Sequence, residues 1–277
     1  MAEHVTGAGG VTLATGDDGA GPAVVLLHGL TASRRYVVMG STALQRAGHR
    51  VVAYDARGHG ASSPAPTPDG YGYEDLAADL VALLDGLGIE RAVLAGASMG
   101  AHTILRLALE QPERVAALAV ITPGYDPVGF DDPARLARWD ALADALRDAG
   151  IDGFVEVFGL QRLPAQWRAT LAKVMRQRLA VHEHPDALVD ALRVVPRSRP
   201  FADLHALEEI ECPAVVVASR DEADPGHPLA LGEAYAELLP RGRLLVEAPG
   251  ESPLAWQGGR LSKVIAELAA QAGAAPR

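Results

Sequence analysis

Short apolar runs alternate with longer segments of helical period along nearly the whole chain. Several of the runs are unbroken stretches of Val, Leu, Ile and Ala, which are typical of strands buried on both faces of a parallel sheet. The runs cover residues 11–14, 23–27, 51–54, 92–95, 117–121, 213–219 and 243–246. The order of strands and helices predicts an α/β fold with a mostly parallel central sheet, right-handed crossovers and helices on both faces.

One long segment breaks this alternation. Residues 124–211 contain no run that resembles a strand, and Pro and Gly separate their helical stretches. These stretches cover residues 133–149, 164–180 and 185–194. At about 88 residues the segment is far longer than a normal connection between strands. We expect residues 124–211 to form a helical cap over the carboxyl edge of the sheet, where open α/β sheets bind ligands. Residues 1–123 and 212–277 then form the core.

Composition narrows the function classes. A net charge of −10 argues against nucleic-acid binding, and no apolar run approaches the ~20 residues of a membrane span. The amino terminus has neither the basic nor the apolar part of a secretory signal, and the single Cys212 cannot form an internal disulfide. We therefore expect a cytoplasmic enzyme with a small-molecule substrate and no membrane or nucleic-acid partner. No motif calls for a metal or an organic cofactor, and the oligomeric state is open.

The most specific motif is the pentapeptide Gly96-Ala97-Ser98-Met99-Gly100. It follows the apolar run RAVLA and precedes the helical segment AHTILRLALE. A G-x-S-x-G sequence between a strand and a helix is typical of a nucleophile elbow, in which small residues permit a sharp turn that presents the serine hydroxyl. Ser98 is therefore the candidate nucleophile.

With this motif the chain resembles the α/β-hydrolase superfamily, and in particular its capped, esterase- and lactonase-like branch. His28-Gly29 after the run AVVLL is similar to the family's His-Gly loop, and residues 55–62 (DARGHGAS) are similar to its D-x-R-G-x-G-x-S loop. The resemblance implies that the backbone N–H groups of Leu30 and Met99 form the oxyanion hole. It also implies that His28 and His59 hold loops together rather than transfer protons.

The resemblance places the acidic member of a catalytic triad after the run PAVVVAS. Two aspartates compete for this role, Asp224 and Asp221, because each has Pro four residues later, as in the family's acid loop. We favour Asp224 and keep Asp221 as the alternative. Whichever of the two is not the catalytic acid is expected to be a surface carboxylate near the start of a helix.

The chain departs from the family pattern after the last strand. There the family has a histidine in a Gly-His turn, but this sequence reads Gly250-Glu251, and no histidine follows His227. A serine hydroxyl without an adjacent base is a poor nucleophile. Three readings stay open: His227 supplies the base, Glu251 supplies it, or the triad is inactive and the pocket serves binding or a non-hydrolytic reaction.

The cap offers a hint about the substrate. Residues 161–199 hold eight basic and three acidic side chains. This excess of positive charge has two interpretations: the cap binds an anionic substrate, or the basic residues form a solvated helix face. The leading hypothesis is a serine hydrolase acting on a small ester, lactone or thioester. The alternatives are an impaired pseudo-hydrolase that binds a small molecule or partner, and a lyase or cyclase that uses the same pocket.

Overall fold

Eight strands form one sheet in the computed structural model, which describes residues 3–274 (at Glu3 the backbone alone). The strands are β1 (Glu3–Thr6), β2 (Thr12–Asp18), β3 (Ala23–Leu27), β4 (Arg50–Tyr54), β5 (Ala92–Ala97), β6 (Val115–Ile121), β7 (Ala214–Ala218) and β8 (Gly242–Val246). Their order in the sheet is β1-β2-β4-β3-β5-β6-β7-β8. Strands β3 to β8 pair in parallel, whereas β2 runs antiparallel to both β1 and β4. The predicted mostly parallel α/β fold is confirmed.

Helices cover both faces of the sheet. They are α1 (Ala43–Arg46), α2 (Tyr73–Gly86), α3 (Met99–Glu110), α4 (Pro133–Phe158), α5 (Ala165–Leu179), α6 (Pro185–Val194), α7 (Leu229–Leu238) and α8 (Gly258–Gln271). Leucines of α2 and α3 and Tyr235 of α7 share one buried cluster with Val25, Leu94 and Val216 of the sheet. The opposite cluster joins Leu44 of α1 and Leu261 and Ile265 of α8 to alternate residues of the same strands. This alternation is the period-2 pattern of strands buried on both faces.

The segment between β6 and β7 contributes helices α4, α5 and α6 and, within the described residues, no strand. These three helices have an apolar cluster of their own, which includes Leu142, Phe154, Met175 and Leu188. Leu30 of the loop after β3 packs against that cluster. We call residues 124–211 the cap segment.

Several elements differ from the sequence-based expectation, among them the four-residue helix α1, which was not predicted. Strand β1 was not predicted, because its four residues EHVT carry too short a pattern to stand out. The helix expected at residues 133–149 continues to Phe158, across Gly150, whose φ of 65° marks a kink. Among the described residues, no helix is long and apolar enough to cross a membrane.

Candidate active site

Ser98 occupies a sharp turn between β5 and α3. Its φ of 49° and ψ of −109° lie outside the regions that most residues favour, a strain of about 1–3 kcal/mol that surrounding structure must offset. Gly96 and Gly100 make the turn possible. A Cβ on Gly96 would lie 2.3 Å from the carbonyl oxygen of Gly100, and one on Gly100 would lie 2.3 Å from that of Leu27. The backbone therefore passes where no larger side chain fits.

A chain of hydrogen bonds links Ser98 to the loop after β7. The Nε2 atom of His227 lies 2.9 Å from Ser98 Oγ. On the other side of the ring, Nδ1 lies 2.9 Å from Oδ2 and 3.0 Å from Oδ1 of Asp224. Because an ionised carboxylate only accepts, Nδ1 carries the proton, and Nε2 is left free to accept from the serine hydroxyl. Asp224 and His227 lie three residues apart on one loop.

The surroundings of His227 adjust its basicity. Removal from water lowers the pKa of the imidazole, but the charge and hydrogen bond of Asp224 outweigh that effect and raise the pKa above its ordinary value. The positive charge of Arg178 opposes the rise. Gly124 leaves room for the ring, since a Cβ there would lie 2.8 Å from His227 Cδ2. The His227 and Asp224 side chains are 26% and 23% exposed, so a substrate or water can reach them.

Two backbone amides lie close to Ser98 along the chain or in space. Met99 is the first residue of α3, so its N–H has no acceptor within the helix. The N–H of Leu30 has no hydrogen bond to any residue between 3 and 274. Gly29 brings the Leu30 loop close to the elbow, since a Cβ at Gly29 would lie 3.4 Å from Ser98 Cβ. The positive end of the α3 dipole adds to this site's affinity for developing negative charge.

His28 supports the Leu30 loop from beneath. Its Nδ1 donates to the Gly29 carbonyl at 2.9 Å, and its Nε2 accepts from the Ala56 amide at 2.9 Å. Burial lowers the pKa of His28 to about 3, so the ring stays neutral. His59 bonds through Nδ1 to the Arg57 carbonyl, and burial lowers its pKa well below the ordinary value. Both rings hold backbone in place, as the resemblance implies.

The two alternative site residues lie away from this hydrogen-bond chain. Asp221 Oδ1 accepts from the Leu229 amide at 2.7 Å, at the start of α7. Glu251 is exposed, and its side chain has no hydrogen bond to any part of the chain that the structure describes. A third acidic residue, Glu247, was not singled out from the sequence. It is 7% exposed, and its Oε1 accepts from the Arg220 amide at 2.7 Å, at the base of the loop after β7.

Four of the eight basic residues of 161–199 form ion pairs within the cap segment. Arg176, Arg193, Arg197 and Arg199 each form an ion pair with an aspartate of residues 131–152. The charge count over residues 161–199 overlooked these aspartates because they lie earlier in the chain. Half of the eight basic residues of 161–199 are therefore paired with an aspartate of the same segment.

Arg178 differs from these four arginines because it lies against the Leu30 loop, next to the site. Its Nη2 donates to the Leu30 carbonyl at 3.1 Å and to Thr31 Oγ1 at 3.0 Å, and it has no acidic partner among the described residues. Its positive charge acts on both His227 and Asp224. Sequence reasoning counted Arg178 as one of eight basic residues, and only the tertiary structure separates it from the others. No group of three or more potential metal ligands occurs in residues 3–274.

Comparison with known proteins agrees with this architecture. A model of the alpha/beta hydrolase fold matches residues 22–211. The chain belongs to the α/β-hydrolase fold family. It is 30% identical to a protein of Pseudomonas savastanoi pv. phaseolicola that carries the name carbamate hydrolase RutD, over 81% of this chain and 84% of the relative. A protein of the same name from Variovorax paradoxus is 35% identical over 73% and 75%.

A solved structure resembles this α/β hydrolase over nearly the whole length of the chain. The thermophilic esterase of Thermogutta terrifontis, with malate bound, has a TM-score of 0.79 at 25% identity and covers 98% of this chain and 99% of its own. The relatives named here thus carry the names of a carbamate hydrolase and an esterase.

Proposed function

We propose that this α/β hydrolase is a serine hydrolase of the capped, esterase- and lactonase-like branch, acting on a small ester, lactone or thioester. The observation that carries the proposal is the hydrogen-bond chain Ser98–His227–Asp224, with contacts of 2.9 Å on both sides of the imidazole. It favours His227 over Glu251 as the base and Asp224 over Asp221 as the acid. A carbamate belongs to the same substrate screen, since it also presents a carbonyl to Ser98.

The geometry supports a two-step acyl transfer. Ser98 Oγ attacks the substrate carbonyl while its proton passes to His227 Nε2, and Asp224 stabilises the imidazolium that forms. The Leu30 and Met99 amides donate to the oxyanion of the tetrahedral intermediate. His227 then protonates the leaving alcohol or thiol, which departs and leaves an acyl-Ser98. A water molecule, deprotonated by His227, attacks that ester and releases the acid, and the proton returns to Ser98.

Arg178 is the part of the site that favours an acidic substituent on the substrate. It brings a positive charge to the Leu30 loop without a carboxylate to neutralise it, and such a charge attracts an anionic group of a ligand. Comparison of an acidic ester with its neutral methyl ester measures this preference. We expect Arg178→Gln to reduce kcat/KM for the acidic ester by about tenfold more than for the neutral one, equivalent to about 1.4 kcal/mol.

Turnover of a panel of aryl esters, lactones and thioesters tests the reaction itself. We expect measurable hydrolysis by the wild type and a loss of about 10³-fold or more in Ser98→Ala, because the nucleophile is gone. Ser252→Ala, in the loop after β8, is the matched control and keeps full activity. Substrate that is converted at the same rate by Ser98→Ala contradicts the mechanism. A rearranged product without added water would instead favour lyase or cyclase chemistry, and ligand binding without product would favour a pseudo-hydrolase.

A further inference from the structure

Thr31, the residue that follows Leu30, has an unfavourable backbone conformation. Thr31 has a φ of 69°, in the left-handed region that glycine adopts freely and a β-branched residue avoids. Such a conformation persists only where neighbouring groups hold it. Leu30 and Thr31 share a peptide bond, so relaxation of Thr31 would also reorient the Leu30 backbone that supplies an oxyanion donor.

Two residues of the cap segment hold Thr31 in place. His182 Nε2 donates to the Thr31 carbonyl at 3.1 Å, while its Nδ1 accepts from the Gly60 amide at 2.8 Å. Arg178, which lies near the end of α5 and four residues before His182, contacts Thr31 Oγ1 and the Leu30 carbonyl. The Leu30 carbonyl, the Thr31 hydroxyl and the Thr31 carbonyl therefore each have a partner on residues 178–182.

The His182 bonds require a neutral ring with its proton on Nε2. A proton on Nδ1 would abolish the bond from Gly60, whose N–H would then face another donor. Burial lowers the pKa of His182 and favours this neutral form, while the Thr31 carbonyl and the Asp55 carboxylate act in the opposite direction. The Arg178 charge lowers the pKa as well, and the ring of His59 lies 5.6 Å away, centroid to centroid.

We propose that His182 and Arg178 are positioning residues for the oxyanion hole: they hold Thr31 in its left-handed conformation and so aim the Leu30 amide at the substrate carbonyl. The oxyanion hole is then completed by the cap segment rather than by the core loops alone. This inference rests on the proposed acyl transfer at Ser98. It adds that the cap contributes to kcat even for substrates that make no contact with it.

Steady-state kinetics with a small neutral ester test the proposal, and a Thr31→Gly substitution gives it a specific readout. We expect His182→Ala to lower kcat between about tenfold and about 100-fold, with little change in KM. The upper figure is the typical loss of rate when a catalytic group is displaced by about 1 Å. Glycine adopts a positive φ without strain. Thr31→Gly in the His182→Ala background should therefore restore most of the lost kcat, which a merely structural role of His182 would not predict.

Matched variants keep the test decisive. His184→Ala, in the same stretch but without a side-chain hydrogen bond to the described residues, should keep the wild-type kcat. If His182→Ala does not fold, Thr31→Val removes the Oγ1 acceptor of Arg178 and should lower kcat several-fold. A His182→Ala kcat within about twofold of wild type overturns the proposal, as does a loss that Thr31→Gly leaves unchanged. Inactivity of the wild type on every ester would instead refute the proposed function.

Discussion

The loops after β7 and β8 leave the same edge of the sheet but differ in what they carry. The two strands are parallel neighbours, with Ala218 paired to Val246 at their ends. The loop after β7 carries both Asp224 and His227 and reaches Ser98. The loop after β8, where the family resemblance implies a histidine, carries the exposed Glu251. The comparison teaches that a neighbouring loop can deliver an imidazole to the elbow when the usual loop does not.

The loop after β8 has a supporting part in this arrangement. Glu247, its first residue, accepts from the Arg220 amide, and the Arg220 Nε donates back to the Glu247 carbonyl at 3.2 Å. The Arg220 carbonyl in turn accepts from the amides of Ala223 and Asp224. Farther along the same loop, the ring of Trp256 packs edge to face against that of Trp167 in α5, with 5.6 Å between the ring centroids. One loop thus holds the proposed acid and base, while the other braces that loop and contacts the cap segment.

Removing the imidazole should have the largest effect. We expect His227→Ala to lower kcat/KM by about 10⁴-fold, because Ser98 loses its general base. Glu251→Ala should stay within about twofold, because its carboxylate makes no contact with the site. Ester hydrolysis by the two variants, measured side by side, checks both expectations. The comparison between the loops fails if the two effects are reversed.

The acid should come next. Asp224→Asn should lower kcat/KM by about 10³-fold, since the amide neither stabilises the imidazolium nor fixes the ring tautomer as a carboxylate does. Because Asp224 raises the pKa of His227, and the base must be unprotonated, activity falls as the pH drops through that pKa. In Asp224→Asn the pKa is lower, so the acid limb of the kcat/KM profile should move to lower pH.

Asp221→Asn serves as the control for Asp224→Asn. Its hydrogen bond to Leu229 can be replaced by the asparagine oxygen, so both activity and the acid limb should match those of the wild type. An acid limb that moves in Asp221→Asn and stays in place in Asp224→Asn would exchange the roles of the two aspartates.

Loss of the Glu247–Arg220 contact, which braces the loop after β7, should have a smaller effect, mainly on stability. Glu247→Ala leaves the Arg220 amide without its acceptor and should lower the free energy of unfolding by about 1–3 kcal/mol. We expect kcat to fall only several-fold, because the triad residues themselves remain. Glu247→Gln keeps an oxygen acceptor and should lose less on both counts. Urea unfolding and ester turnover measure the two effects, and equal stability of all three proteins would argue against a brace.

Restoring the family's histidine should change least. Glu251→His should leave esterase activity within about twofold, because His227 already occupies the hydrogen-bonding position beside Ser98. A large gain in ester turnover would mean that the loop after β8 reaches the nucleophile after all.

The parts of the site that local sequence patterns encode could be predicted from the sequence, whereas contacts between distant residues could not. The turn at Ser98 was predictable, since an apolar run, two glycines and a helical segment adjoin in sequence. The hydrogen bond between His227 and Ser98 joins residues 129 positions apart, so the sequence alone left three readings open. The sequence did not indicate the contacts that His182 makes. Its partners, Thr31 and Gly60, lie more than 120 residues earlier and meet it only because the cap segment folds onto the core.

The most direct test is intact-mass labelling with a fluorophosphonate, which reacts with an activated serine hydroxyl. Wild type, Ser98→Ala, His227→Ala and Glu251→Ala should be compared at equal concentration over a time course. We predict one equivalent of label on the wild type and on Glu251→Ala, none on Ser98→Ala, and strongly slowed labelling of His227→Ala. Labelling of His227→Ala at the wild-type rate, or an unlabelled wild type, would contradict a base supplied by the loop after β7.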